Sequence, residues 1–113
     1  MSDQSEINIF RALDFIRDNA KHYAKAKADR VYLEEFRKSK KAMLMKAAEP
    51  DYPSSVAQER EAYRHPEYAE LLNGLREAVE AEEVLRWQMV AAQAKIEVWR
   101  TIEANRRAEA KTL

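Results

Sequence analysis

The sequence predicts an all-α fold: an antiparallel hairpin of two long, coiled-coil-like helices. Three observations carry this. The three prolines, Pro50, Pro53 and Pro66, sit near the middle of 113 residues, and Gly74 is the only glycine, so the residues that break regular structure are scarce elsewhere. The blocks on either side, residues 1–48 and 67–113, are rich in Ala, Glu, Lys, Arg and Leu, which favour helix. Within both blocks, apolar residues recur at steps of three and four, the helical period.

The length suits one domain spanning residues 1–113. Charged residues make up 35% of the chain, yet 20 basic and 20 acidic side chains cancel and 46% of residues are hydrophobic. That balance argues against a disordered chain, which pairs low hydrophobicity with high net charge. Without cysteine, disulfides and thiolate metal sites are excluded. The opening MSDQSEINIF lacks the basic-then-apolar pattern of a signal peptide. No stretch approaches the 18 apolar residues that suggest a membrane span. The expectation is a soluble, cytoplasmic protein with no membrane contact.

The first helix is predicted over residues 4–48. Asp3 and Glu6 have capping-box spacing, and Ile9, Leu13, Ile16, Ala20 and Tyr23 then form a stripe. Beyond Tyr23 the apolar letters drift through Ala24, Ala28, Tyr32, Phe36, Met43 and Ala47, which predicts a contact line that wanders round the helix. Glu49 precedes Pro50 and so avoids the helical region. A connector with a short helix follows over residues 49–65, opened by Ser55 and Gln58 as a second capping box. Pro66 suits the first position of the last helix, predicted over 66–108 with a frayed tail at 109–113. Its seam is Leu71, Leu75, Ala78, Glu82, Leu85, Met89, Ala92, Ile96, Trp99 and Glu103, at sustained 4-3 spacing. Gly74, unfavourable in a helix, suggests close helix packing there.

Charge supports folding back. Residues 21–46 hold nine Lys or Arg, and residues 67–83 hold six Glu against Arg76 alone, so an antiparallel pair sets basic beside acidic. A second apolar line on the last helix, Trp87, Ala91, Ala94, Val98 and Ile102, exceeds what one partner helix needs. It predicts a further partner, by default a second copy completing a four-helix bundle as a homodimer, otherwise a foreign protein.

Candidate chemistry is sparse. His22 and His65 belong to no ligand array, and neither follows a glutamate at the three-residue spacing of di-iron bundles. They read as a helix-face residue and a helix cap. Glu82, at a seam position, reads as a register-setting residue paired with an Arg or Lys. There is no Gly-rich phosphate loop, nucleophile elbow or Ser–His–Asp set. We therefore expect no enzyme, no catalytic or metal site and no cofactor. The basic segment with Arg30, Arg37, Lys38, Lys40, Lys41 and Lys46, beside Tyr32 and Phe36, has the composition of a nucleic-acid face. The alternative is neutralisation by the acidic helix. Tyr52, Tyr63 and Tyr68 around the connector either form a recognition tip or plug the end of the hairpin.

Three strings, RVYLEEFRKSKKAMLMKAAE (30–49), AQEREAYRHPEYAELL (57–72) and LRWQMVAAQAKIEVWRTIEANRRAEA (85–110), resemble a family of small helical proteins encoded by tailed bacteriophages and prophages. The likeness covers roughly residues 24–110. Genes of that family tend to lie near single-strand annealing or recombination functions, so the resemblance implies an accessory role in phage DNA metabolism within a bacterial host. The expected function is a non-enzymatic accessory that meets DNA or a DNA-bound protein through the basic face. The alternative is a helical adaptor or inhibitor that binds a host protein through the Trp87–Ile102 face.

Overall fold

The computed structural model describes residues 6–112. Helix accounts for 91% of them, far above the third found in ordinary domains, and the described residues contain no strand. Helix α1 runs Ile9–Ala48, α2 Ser55–Arg64 and α3 Pro66–Thr112.

The helix ends differ from expectation in instructive ways. Helix α1 begins at Ile9 rather than residue 4, because Asn8 caps it: its Oδ1 accepts the Arg11 backbone N–H at 3.1 Å, the usual service of a short polar side chain at this position. Asp3 lies outside the described residues. At the other end the Tyr52 N–H returns to the Ala48 carbonyl at 2.9 Å, just where Pro50 forbids continuation. The cap of α2 is Ser54, not Ser55; its hydroxyl accepts the Ala57 N–H at 3.1 Å. Gln58, the expected capping-box partner, instead donates its side-chain amide to the Tyr52 carbonyl at 2.8 Å.

His65 joins α2 to α3 as the sequence suggests. Its backbone is extended, as a residue before proline requires, and its Nδ1 accepts the Glu67 N–H at 3.0 Å. Helix α3 does not fray at 109 but continues to Thr112, whose hydroxyl donates to the Glu109 carbonyl.

The helices form two compact units. The connector unit, Ala24–Glu82, pairs α1 with the start of α3 in antiparallel sense: Arg30 meets Glu82, whereas Lys40 meets Glu67. Helix α2 closes this unit, burying Ala62 with Leu44 and Tyr68, and Met45 packs against them. Tyr63 meets Tyr68 edge-on at 5.3 Å, the favoured aromatic geometry. Tyr68 is therefore a plug, while Tyr52 and Tyr63 stay exposed around it. The terminal unit takes the chain up to Tyr23 and from Glu83 onward. It is also antiparallel: Ala12 and Phe15 share a groove with Ala91 and Ala92, and Ile7 shares one with Trp99 and Ile102.

The α3 seam matches expectation. Leu71, Leu75, Ala78, Glu82, Leu85, Met89, Ala92, Ile96, Trp99 and Glu103 are all buried or half-buried. The α1 stripe does not drift. Ile9, Ala12, Ile16, Asn19, Tyr23, Ala26, Arg30 and Leu33 keep alternating steps of three and four and are all at least half-buried. Leu13, Ala20, Ala24, Ala28, Tyr32, Met43 and Ala47 are exposed instead, whereas Phe36 is half-buried as expected. The cause is that polar side chains occupy inward positions. Asn19 satisfies its amide on the Phe15 carbonyl at 3.0 Å, and Arg30 buries its stem beneath an ion pair. Gly74 marks no close approach: a Cβ built there meets nothing within 4 Å.

Candidate interaction surfaces

The basic segment of α1 lies in the connector unit, and most of its charge is engaged by carboxylates of the same unit. Arg30 grips Glu82 through Nε and Nη2 and reaches both oxygens of Glu34 at 3.0 Å. The hydrogen bonds it donates to Glu82 first, and then to Glu34, raise the guanidinium pKa above its ordinary value, so Arg30 stays a cation at any workable pH. Lys40 binds Glu67 on α3, which holds the Glu67 carboxyl below its ordinary pKa. Lys41 reaches Glu59 on α2 at 2.7 Å and lies over the Tyr63 ring at 4.8 Å; Glu59, then Tyr63, raise its pKa.

The outer members are held loosely. Lys38 meets Glu35 at 3.5 Å and Lys46 meets Glu49 at 3.4 Å, all four side chains half exposed or more. Arg37 is exposed. Tyr32 and Phe36 stack on one another at 5.8 Å, 9° from parallel, with Tyr32 64% exposed. The six basic residues therefore split: Arg30, Lys40 and Lys41 hold the unit together, and Arg37, Lys38 and Lys46 face outward. Glu67 belongs to the acidic segment expected beside the basic one, whereas Glu34, one turn along α1, and Glu59, on α2, were the partners that sequence reasoning missed.

The terminal unit presents apolar surface. On α3, Trp87 is 58% exposed and Val98 50%, and Ala91 and Ala94 are exposed as well. Val84, which the sequence reading left out of this line, is 52% exposed. Ile102 is only half-buried, because it turns toward Ile7 and Trp99. Arg86 lies over the Trp87 ring at 4.5 Å and is itself held by Glu83 through two hydrogen bonds of 2.9 Å. Beside this line lies an open groove of about 780 Å³ whose floor includes Ala12, Phe15, Ala91 and Ala92 and whose rim includes Arg11 and Lys95. The alanines account for it, since small side chains leave the crevice between two helices unfilled.

His22 is exposed on α1, and His65 is occupied with the helix junction. Among the described residues no three His, Cys, Asp or Glu side chains gather as a metal site. No described helix is long and apolar enough to cross a membrane. No protein-family model matches the chain, and no curated protein or solved structure is significantly similar to it.

Proposed function

We propose that this chain is a non-catalytic helical interaction protein that docks another polypeptide through the apolar face of α3 from Trp87 toward Ile102. The observation that carries the reading is the contrast between the two surfaces. Three of the six basic side chains are drawn into ion pairs between helices, so much of the positive field is neutralised where it arises. The apolar line, in contrast, stays exposed. Buried apolar area stabilises an interface by about 25 cal/mol per Å², and tryptophan is among the usual anchors. The resemblance of residues 24–110 to small phage-encoded proteins suits an accessory of this kind in a bacterial host.

A second reading, DNA contact, rests on Arg37, Lys38 and Lys46, which face solvent; Lys38 and Lys46 can exchange weak carboxylate partners for phosphates. Affinity capture from phage-infected bacterial lysate separates the two. We expect the captured polypeptide to survive nuclease and the double change Arg37→Glu, Lys38→Glu, and to be lost with Trp87→Lys. Lys40 and Lys41 are unsuitable probes, because changing them breaks contacts of the fold. Capture that collapses with nuclease, or that weakens by orders of magnitude between roughly 50 and 200 mM salt, would replace docking by DNA binding.

A further inference from the structure

The open groove of the terminal unit has small side chains on its floor and a cation on each wall. Ala12 and Ala92 are buried at its base, and Ala91 is exposed beside them. A floor of alanines leaves room for the larger side chains of a facing helix to enter. Arg11 stands on α1 and Lys95 on α3, both exposed. In the antiparallel pairing that sets Ile7 by Trp99 and Phe15 by Ala91, Arg11 and Lys95 fall level with one another on opposite walls.

Among the described residues neither cation has a carboxylate partner, and their neighbours explain it. Asp14, three residues beyond Arg11, is taken by Arg17 at 3.3 Å. Lys95 has Ala91, Ala92, Val98 and Trp99 at spacings of three and four, where a carboxylate of its own helix would have to stand. Arg17, Arg86, Arg100 and Arg106 of the same unit are each held by a carboxylate of their own helix. Glu6 also lines the groove, toward its Trp99 end, and pairs with neither cation.

Shape and charge together narrow the occupant. A small amphiphile is ordinarily enclosed over most of its surface, which an open groove does not provide. A helix laid along the groove keeps its polar face in water and needs no enclosure. The exposed Val84, Trp87 and Val98 beside the groove extend the apolar surface further than a small ligand would use. Charges flanking an apolar seam set partner choice between helices, so a cation on each wall selects carboxylates.

We propose that the groove receives an acidic amphipathic helix of a partner protein, its apolar ridge on the alanine floor and its flanking Asp or Glu side chains on Arg11 and Lys95. The proposal rests on the protein-docking reading above and gives the partner its chemistry.

A reciprocal charge swap in the full chain tests it, with two synthetic helical peptides as probes. Both carry Leu at the a and d positions of a heptad; one has Glu at the flanking e and g positions, the other Lys. In fluorescence-anisotropy titrations the Glu peptide is expected to bind at least about tenfold more tightly than the Lys peptide. Arg11→Glu with Lys95→Glu should invert that order. Arg37→Glu with Lys38→Glu, in the connector unit, should leave it unchanged, and circular dichroism checks that each variant stays helical. Equal binding of the two peptides, or an order that the Arg11→Glu, Lys95→Glu variant fails to invert, overturns the proposal. So does stoichiometric binding of dodecanoate that expels the Glu peptide, which makes the groove a small-amphiphile site. A dimer in sedimentation equilibrium that the same double change dissolves overturns it in favour of a second copy. Lysate capture separates the proposal from the docking reading. A polypeptide lost with Trp87→Lys but kept by Arg11→Glu, Lys95→Glu overturns the acidic helix alone, and capture indifferent to both variants overturns docking as well.

Discussion

Arg30 on α1 and Glu82 on α3, 52 residues apart in sequence, are joined by two hydrogen bonds across the seam of the connector unit. Both occupy positions where a coiled coil ordinarily places an apolar residue. Glu82 is only 6% exposed, so its charge is tolerable only beside a cation. Any slip between the helices would leave a carboxylate in the seam without that partner, which makes the pair a register pin.

Removing one half of this pair should therefore cost much more than removing both. Glu82→Leu is expected to lower stability by about 3 kcal/mol, because Arg30 is left at the seam without its main partner. The double change Arg30→Leu, Glu82→Leu should recover most of that loss. Urea unfolding followed by circular dichroism measures both, and equal losses for single and double variants would contradict the assignment.

Gly74 offers the opposite case. It lies inside α3 with open space where a Cβ would stand, so no packing compensates for its flexibility. Gly74→Ala should raise stability by roughly 1 kcal/mol, the difference in helix propensity. A lower thermal midpoint in the variant would show that another element needs that space.

The connector core gives a neighbouring contrast. Leu44 is 8% exposed and packs with Ala62 and Tyr68, whereas Met43 beside it is 57% exposed. Leu44→Ala should cost about 2–3 kcal/mol, and Met43→Ala should stay within about 0.5 kcal/mol. Denaturant midpoints of the two variants, read against wild type, decide it.

Acid should loosen the Lys40–Glu67 link. Lys40 lowers the Glu67 pKa from the ordinary value of 4.5, so the unfolded chain takes up this proton more readily than the folded one. The contribution is complete above the ordinary glutamate range and is lost as pH falls through the lowered folded value. Glu67→Gln should therefore flatten the fall in stability below pH 4.5 without changing its direction. Thermal midpoints of both proteins through that acid range test the sign; parallel curves would remove Glu67 from the account.

The class of fold, the connector and the whole α3 seam were legible in the residues. A helix breaker acts locally, and an apolar period survives whichever partner covers it. Glu82 was legible for the same reason, since a charge interrupting a clean seam demands an opposite charge. The α1 stripe was misread because hydrophobic letters were followed where the helix turns Asn19 and Arg30 inward. Long polar side chains bury their stems and keep their heads satisfied, which a pattern of apolar letters does not register. The caps were misplaced by one residue at Ser54 and by several at Asn8, since neighbouring polar residues compete for the same orphan N–H groups.

Composition and period alone thus settle that the chain is helical, where it turns and which line of α3 faces α1. Only the folded arrangement decides which charges are spent. Lys40 and Lys41 look like Lys38 in sequence, yet Glu67 and Glu59 bind the first two from other helices, while Lys38 meets the nearby Glu35 of its own helix. The difference is one of distance: ion pairs depend on a few ångströms of approach, and the approach of residues far apart along the chain is a property of the packed helices, not of the order of letters.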